Sequence, residues 1–389
     1  MRNRLAAAAR SWAPEMTEWR RYLHAHPELS FGEYETTAWL AQHLEALQIP
    51  FTRPAPTGLV CIIEGNRPGR TIAVRADIDA LPIVELNDFA YVSTTPGVMH
   101  ACGHDGHTAI LLGLARFLVQ NRDFAGRVKL LFQPAEEKPP GGAQQFIAAG
   151  VLAGVDACVG IHLISDMPTG KAGITAGPMM ANTDSFRAVI QGRGGHGAEP
   201  HQTIDAVMIA CHAVVNLQTV VSRKIAPTRP AVISVGSVHA GTVNNVIADS
   251  AELKGTVRSF HADVRQKLQD EIHRTLQTTC AMYGAELTLE YELGYPALAN
   301  DPATTEVMRE AARAVLGADH VLVQDPIMGG EDFAYYGSKV PAAFMFVGCR
   351  SAAAGSEWPH HHPRFTVDET ALPHGMEILG RAAVALLEG

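Results

Sequence analysis

Apolar residues recur at helical spacing from Pro14 to His26 and from Glu33 to Leu47, the second stretch carrying Thr37, Leu40, Leu44 and Leu47 on one face. Leu59 to Glu64 and Thr71 to Arg75 then read as strands, separated by turn residues from Gly65 to Gly69. From Thr108 to Val119 the chain is apolar nearly all round, which predicts a helix buried on several sides. Arg127 to Phe132 and Ala157 to Leu163 read as further strands. Strands alternating with helices predict an α/β fold, a central mixed sheet flanked by helices, with its functional residues beyond the strand ends.

Near residue 182 the rhythm changes. Ser185 to Gln191, Ala231 to Val238, Ala251 to Val257 and Glu286 to Tyr291 read as strands, and Ala262 to Tyr283 as a helix. Ile204 to Val221 reads as an amphipathic helix with Val207, Cys211, Val214, Leu217 and Val221 in register. This set of about 110 residues has the size of a domain. Helix, strand and helix then return at Thr304 to Leu316, Ala342 to Val347 and Glu369 to Leu387. The expected organisation is therefore a discontinuous catalytic domain, 1–181 and 295–389, interrupted by an α+β satellite domain at 182–294.

A length of 389 residues with 47% hydrophobic content supplies two packed cores. The net charge of −9 argues against nonspecific nucleic-acid binding. Uncharged apolar stretches fall short of the ~20 residues that span a bilayer, so the expected protein is soluble and cytoplasmic, with no membrane partner. Cysteines at 61, 102, 158, 211, 280 and 349 are scattered singly; five read as buried small hydrophobes rather than a disulfide framework.

Cys102 differs because of its neighbours. His100, Cys102, His104, Asp105 and His107 crowd eight residues, and Glu136-Glu137 follows about thirty residues later. Thiolate, imidazole and carboxylate are the donors that zinc and its first-row neighbours select. In an extended or loop path Cys102 and His104 point the same way, around Gly103. The spacing does not fit a structural zinc finger, because Cys102 has no cysteine partner at two to four residues.

Several further segments stand in a specific order. They are His24 to Ser30, Arg75 to Pro82, His100 to His107, Gln133 to Glu137, Gly160 to His162, Gly194 to Ala198, Asn245 to Ile247, Gly255 to Arg258, Gly330 to Phe333 and His361 to Pro363. Taken together they resemble the aminoacylase, hippurate hydrolase and indole-acetyl-amino-acid hydrolase group of dinuclear metallo-amidohydrolases. That resemblance implies two divalent ions per subunit, of zinc, manganese or cobalt, held by Cys102, His104, Glu137, His162 and His361. It implies Glu136 as general base and acid, facing a metal-activated water, with Asp77 in support. Arg75 stands where related peptidases keep a metal-binding histidine, which puts the weight of ligation on Cys102.

From the satellite domain the resemblance implies His196 as oxyanion donor, with His201 as a second candidate, and Asn245 and Arg258 as substrate-binding residues. The implied reaction is hydrolysis of N-acyl amino acids, N-acetyl or N-benzoyl, to a carboxylic acid and a free amino acid, by a homodimer or dimer-based oligomer. The alternatives are a dipeptidase or aminopeptidase, an N-acetyl-diaminopimelate-type deacetylase, and a noncatalytic metal- or ligand-binding protein. Gly192 to Gly197 also spells G-x-G-x-x-G after a strand, but the acidic residue a dinucleotide site wants about 20 positions later is missing. Glu331 and Asp332 read as site-lining or helix-start residues.

Overall fold

A computed structural model describes residues 1–389. Along the chain run α1 (Arg2–Ser11), α2 (Ala13–Ala25), α3 (Tyr34–Ala46), β1 (Phe51–Thr52), β2 (Leu59–Glu64), β3 (Arg67–Asp77) and α4 (His104–Gln120). Then come β4 (Ala125–Gln133), α5 (Gly142–Ala148), β5 (Ala157–Pro168), β6 (Ala172–Ile174) and β7 (Gly177–Met180). The middle of the chain supplies β8 (Asp184–Gln191), β9 (Gly195–His196), α6 (Ala206–Lys224), β10 (Ala231–Ala240), β11 (Val246–Ile247), β12 (Ser250–Ser259), α7 (Ala262–Met282), β13 (Glu286–Glu292) and β14 (Leu298–Asn300). The end supplies α8 (Pro302–Leu316), β15 (Val321–Val323), α9 (Ala334–Gly337), β16 (Ala342–Arg350) and α10 (Ala371–Glu388). Two compact units result: Met1–Met179 with Ala299–Asp325 and Asp332–Gly389, and Met180–Leu298 with Pro326–Glu331.

The first unit is built on an eight-stranded mixed sheet of order β1-β2-β4-β3-β5-β16-β6-β15. Its centre is parallel, β3 pairing with β4 and β5, and β5 with β16; β1, β2 and the β16–β6 pair are antiparallel. The central strands are buried almost without alternation, as strands covered on both faces must be. Helices α2, α4, α8 and α10 pack their apolar faces into one core with Ile72, Val74, Leu130, Val159 and Met345. α4 buries nearly every residue to Leu118. The ends of β3 and β4, at Asp77 and Gln133, and the middle of β5, at His162, carry the chemistry described below.

The second unit is an antiparallel sheet, β10-β12-β8-β13, with α6 and α7 packed on one side. Burial alternates strictly along β8 and β13, the signature of a sheet with one wet face. Asp205 caps α6 by accepting hydrogen bonds from the amides of Val207 and Met208 at 2.9 and 3.2 Å. A separate two-stranded ribbon pairs β9 with β11, setting His196 opposite Val246.

Two expectations need correcting. The buried stripe of α6 is Ala206, Ile209, Ala210, Ala213, Leu217 and Val220, so Val207 and Cys211 are exposed and Val214 and Val221 are half-buried. The helix is apolar on more than one stripe; by length and composition it could cross a membrane, yet a third of it packs in the second core. The strand before the sheet's centre restarts at Arg67, inside the predicted turn. α1 had no clear signal beyond its alanine run, and it docks on α10 through Leu5, which fills the space over Gly380.

Candidate metal centre

His104 lies on the first turn of α4, not in a loop, which corrects the extended path expected through this segment. Gly103, at φ 93°, makes the left-handed turn that brings Cys102 back beside it. The donor atoms of Cys102, His104 and His162 lie within 4.8 Å of one another, as do those of Cys102, Glu137 and His361. Cys102 Sγ is 3.5 Å from His162 Nε2, and Glu137 Oε1 is 3.3 Å from His361 Nε2 and 3.9 Å from His104 Nε2. The five sequence-proposed ligands are therefore brought together in two triads sharing one thiol.

These donors fit divalent cations on their own chemistry. His104 Nε2 and Glu137 Oε1 are buried without a hydrogen-bond partner, a state rare among buried polar atoms. Burial, then Glu137, Glu136 and Asp77, push the Cys102 thiol well up, and burial with the neighbouring histidines holds His162 well down. A thiol in such acidic surroundings becomes a thiolate only beside a cation.

The run His360 to His362 is sorted by geometry. His360 is half-buried and accepts a hydrogen bond from the Ser165 amide at 3.1 Å, while His362 stacks on Trp358 with ring centroids 4.3 Å apart. His361 takes a positive φ of 62° and donates its amide to Ala101 at 2.8 Å, which aims its ring at Glu137.

Behind the candidate ligands stands a layer of residues bonded to them. Asp79 faces His104 Nδ1 through both its carbonyl, at 3.0 Å, and Oδ1, at 3.2 Å; its Oδ2 accepts from the Glu137 amide at 2.9 Å and Ser30 Oγ at 2.7 Å. His107 Nε2 accepts from the Leu163 amide at 2.8 Å, so its proton is on Nδ1, which donates to Asp77 Oδ1 at 2.6 Å. Asp77 thus acts on the ligand set through the residue beside His162, and its Oδ2 lies 3.6 Å from His104 Nε2. Burial opposes ionisation of Asp77, but His104, Arg75 and His107 hold its carboxyl well below the usual range. Arg75 donates to Asp77 at 2.6 Å, Asp332 at 2.7 Å and Gln133 at 2.9 Å, tying the ends of β3 and β4 together.

His100 and Asp105 belong to none of the donor clusters. His100 is buried with neither ring nitrogen hydrogen-bonded, and burial pushes it down to about 4. Asp105 is committed to Arg20 and His24, each at 2.8 Å.

Glu136 and Glu137 leave β4 through Pro134 and Ala135. Ala135 has a φ of 53°, a left-handed conformation unusual for a residue with a side chain. This turn redirects the chain beyond β4 and carries both carboxylates with it. Glu136 is buried beside Glu137 and His104, with the Asp332 amide 3.4 Å from its Oε1.

The remaining candidates belong to the second unit. His196 and Asn245 meet on the β9–β11 ribbon: the Gly197 amide donates to the Asn245 carbonyl at 2.8 Å, and His196 Nδ1 accepts from the Ala198 amide at 3.1 Å. His201 follows on an exposed 3-10 turn, Pro200–Gln202. Arg258 lies apart on β12, half-buried, its Nη1 donating to Thr256 Oγ1 and to the carbonyls of Val257 and Asp184. The glycines of the G-x-G-x-x-G string serve close backbone approach: a Cβ on Gly192 would lie 2.2 Å from the Ile204 carbonyl, and one on Gly194 2.6 Å from that of Ile247. No phosphate cradle is left to them.

Asp79 and Glu33 were missed in the sequence. Asp79 had a signal: it follows Asp77 by two at a strand end, where alternate residues share a face.

Residues 73–385 match the sequence profile of peptidase family M20/M25/M40. N-acetylcysteine deacetylase of Bacillus subtilis is 42% identical over 388 residues, covering 98% of this chain and 99% of its own. Thermostable carboxypeptidase 2 of Saccharolobus solfataricus is 41% identical over 382 residues, covering 96% and 95%. The crystal structure of Bacillus subtilis YxeP, described as a dinuclear metal-binding peptidase of the M20 family, superposes with a TM-score of 0.85 at 38% identity, covering 97% of this chain and 99% of that one.

Proposed function

Because the chain belongs to peptidase family M20/M25/M40, we propose that it is a metal-dependent amidohydrolase that cleaves N-acyl amino acids to a carboxylic acid and a free amino acid. The observation that carries this reading is the pair of donor triads sharing Cys102, with the Glu136 carboxylate beside them. When bound, divalent ions at Cys102, His104, Glu137, His162 and His361 polarise the acyl oxygen and lower the pKa of water from ~15.7 toward ~7. Zinc, manganese and cobalt all accept this donor mixture.

Glu136 takes the proton of the attacking water and delivers it to the departing nitrogen, the work of a carboxylate that is buried and not itself a ligand. Asp77 keeps His107 oriented and adds negative charge beside His104. His196, on its exposed ribbon, donates to the oxyanion, with His201 next to it in sequence as the second candidate. Asn245 and Arg258 hold the substrate. The anchoring of Arg258 Nη1 fixes the guanidinium fork, which suits it to a free α-carboxylate.

By their names, one relative removes an acetyl group from an amino-acid nitrogen and another releases a C-terminal residue. Their shared product is a free amino acid, which supports carboxylate recognition and keeps a peptidase as the second reading. A homodimer is supported by the unpaired outer edge of β10 and by the exposed apolar residues Val207 and Val215 on α6. Six unpaired cysteines support a reducing, cytoplasmic setting.

The test is release of free amine from N-acetyl and N-benzoyl amino acids, their carboxamide counterparts and unblocked dipeptides, with each metal in turn. Acyl amino acids should be cleaved, and the carboxamides only poorly. Preference for dipeptides would favour the peptidase reading, and no turnover with metal bound would favour a binding protein.

A further inference from the structure

The segment Glu28 to Glu33 runs from the end of the His24 to Ser30 motif to the start of α3, and none of the roles above uses its chemistry. It crosses behind the candidate site. The Glu28 carbonyl accepts from the Ala80 amide at 2.8 Å, and Ser30 Oγ donates to Asp79 Oδ2 at 2.7 Å. Glu33, buried at the start of α3, accepts from the Ala135 amide at 2.7 Å through Oε1 and from Thr57 Oγ1 at 2.8 Å through Oε2.

Ala135 makes the left-handed turn through which the chain leaves β4 and delivers Glu136 and Glu137 to the candidate site. Such a conformation costs about 1–2 kcal/mol for an L-residue and persists only where its surroundings over-determine it. Its amide goes to Glu33, its carbonyl accepts from the Gly142 amide at 3.0 Å, and the Glu137 amide two residues on goes to Asp79 at 2.9 Å. Gly142 presses against the same turn, since a Cβ there would lie 1.9 Å from the Pro134 carbonyl.

We propose that Glu33 is a positioning residue that holds the left-handed turn at Ala135 and thereby aims the Glu136 carboxylate, with Ser30 completing the brace through Asp79. The inference rests on the reading of Glu136 as the base. What Glu33 supplies is an acceptor oxygen opposite the Ala135 amide. Charge is not required, because Thr57 can turn its hydroxyl to accept from a neutral partner. Burial and the nearby Asp79 in fact push Glu33 up to about 7.

The experiment uses the full-length, metal-loaded enzyme. Wild-type turnover of an N-acetyl amino acid, and its loss in Glu136→Gln, tests the reading of the base first. Glu33→Ala should then lower kcat by about 100-fold, the cost of a misplacement near 1 Å, with KM within about threefold. Glu33→Gln should recover kcat to within about fivefold, which a packing role would not demand. Amide exchange of the peptide covering 130–142, followed by mass spectrometry, should quicken in Glu33→Ala and return toward wild type in Glu33→Gln. This readout stands even if no substrate is turned over, so failure of the base assignment and failure of the brace remain separate. Wild-type kcat or wild-type exchange in Glu33→Ala overturns the proposal, and so does a glutamine variant as impaired as the alanine one. Should Glu33→Ala fail to fold, Thr57→Val removes the donor at Oε2; faster exchange over 130–142 supports the brace, and unchanged exchange overturns it.

Discussion

Apart from the exposed His361, the candidate residues of the first unit are buried or half-buried and cluster together, while those of the second unit, apart from the half-buried Arg258, are exposed. Cys102, His104 and Glu136 are buried, and His104 and Glu137 are gripped from behind by Asp79. His196 and Asn245 sit exposed on a ribbon whose hydrogen bonds run through main-chain atoms, Gly197 to Asn245 among them. The difference has a physical reading. Desolvating a cluster of carboxylates and imidazoles is costly and is tolerated where a cation offsets it. A hydrogen-bond donor to a transient oxyanion needs no such environment in advance, so it can stay hydrated on a ribbon that fixes only its backbone.

Replacing Glu136 by glutamine tests the buried side of that contrast most severely. It keeps the shape and removes the proton acceptor, so kcat should fall by about 10²–10⁴-fold with metal content unchanged. Metal analysis beside steady-state kinetics checks it. If the variant turns over normally, the buried unit supplies ligands but not the base. On the exposed side, His196→Ala should lower kcat by about 10²–10³-fold, leaving metal affinity and the melting temperature near wild type. A drop in stability instead would mean that His196 is a structural member of the ribbon and would erase the contrast.

Most of the sheet and both long helices of the second unit were legible, because burial there follows the period of the element. Where apolar residues cover more than one stripe, as in α6, periodicity chose Val207 and Cys211 over Ala206, Ile209 and Ala213; alanine carries too little hydrophobicity to mark a face. The donor cluster was legible as chemistry but not as shape: a left-handed glycine and the first turn of α4 bring Cys102 and His104 together. Glu33 was not legible at all. Its partner, Ala135, is 102 residues away and offers only a backbone amide, which leaves no trace in residue type.

Asp79 gives a smaller, sharper probe of the buried layer, since it touches one ligand ring and the amide of another. Asp79→Ala should weaken metal binding by about 10–100-fold, a loss typical of outer-shell partners, while the affinity of the second unit's residues for a carboxylate is untouched. Chelator competition reads the first quantity and KM the second. Equal losses in both would show that the two sets of residues are not independent. Cys102→Ala should go further and lower the number of ions bound, because both triads use its sulfur.

The smallest expected effect concerns what burial costs the first unit as pH changes. Burial, then the nearby Asp79, raise Glu33 from 4.5 to about 7, so the folded protein holds its proton more tightly than the unfolded chain does. The stability Glu33 contributes is then fully present below about pH 4.5 and is lost as the pH rises through about 7. Glutamine stays neutral throughout, so the stability of Glu33→Gln relative to wild type should increase between pH 5 and pH 8, by on the order of 1–3 kcal/mol. Taking the difference between the two proteins cancels the titration of every other group they share. Denaturant melts across that range read it directly, and a pH-independent difference would mean that the brace at Ala135 holds an ionised carboxylate at no cost, unlike the ligand cluster in front of it.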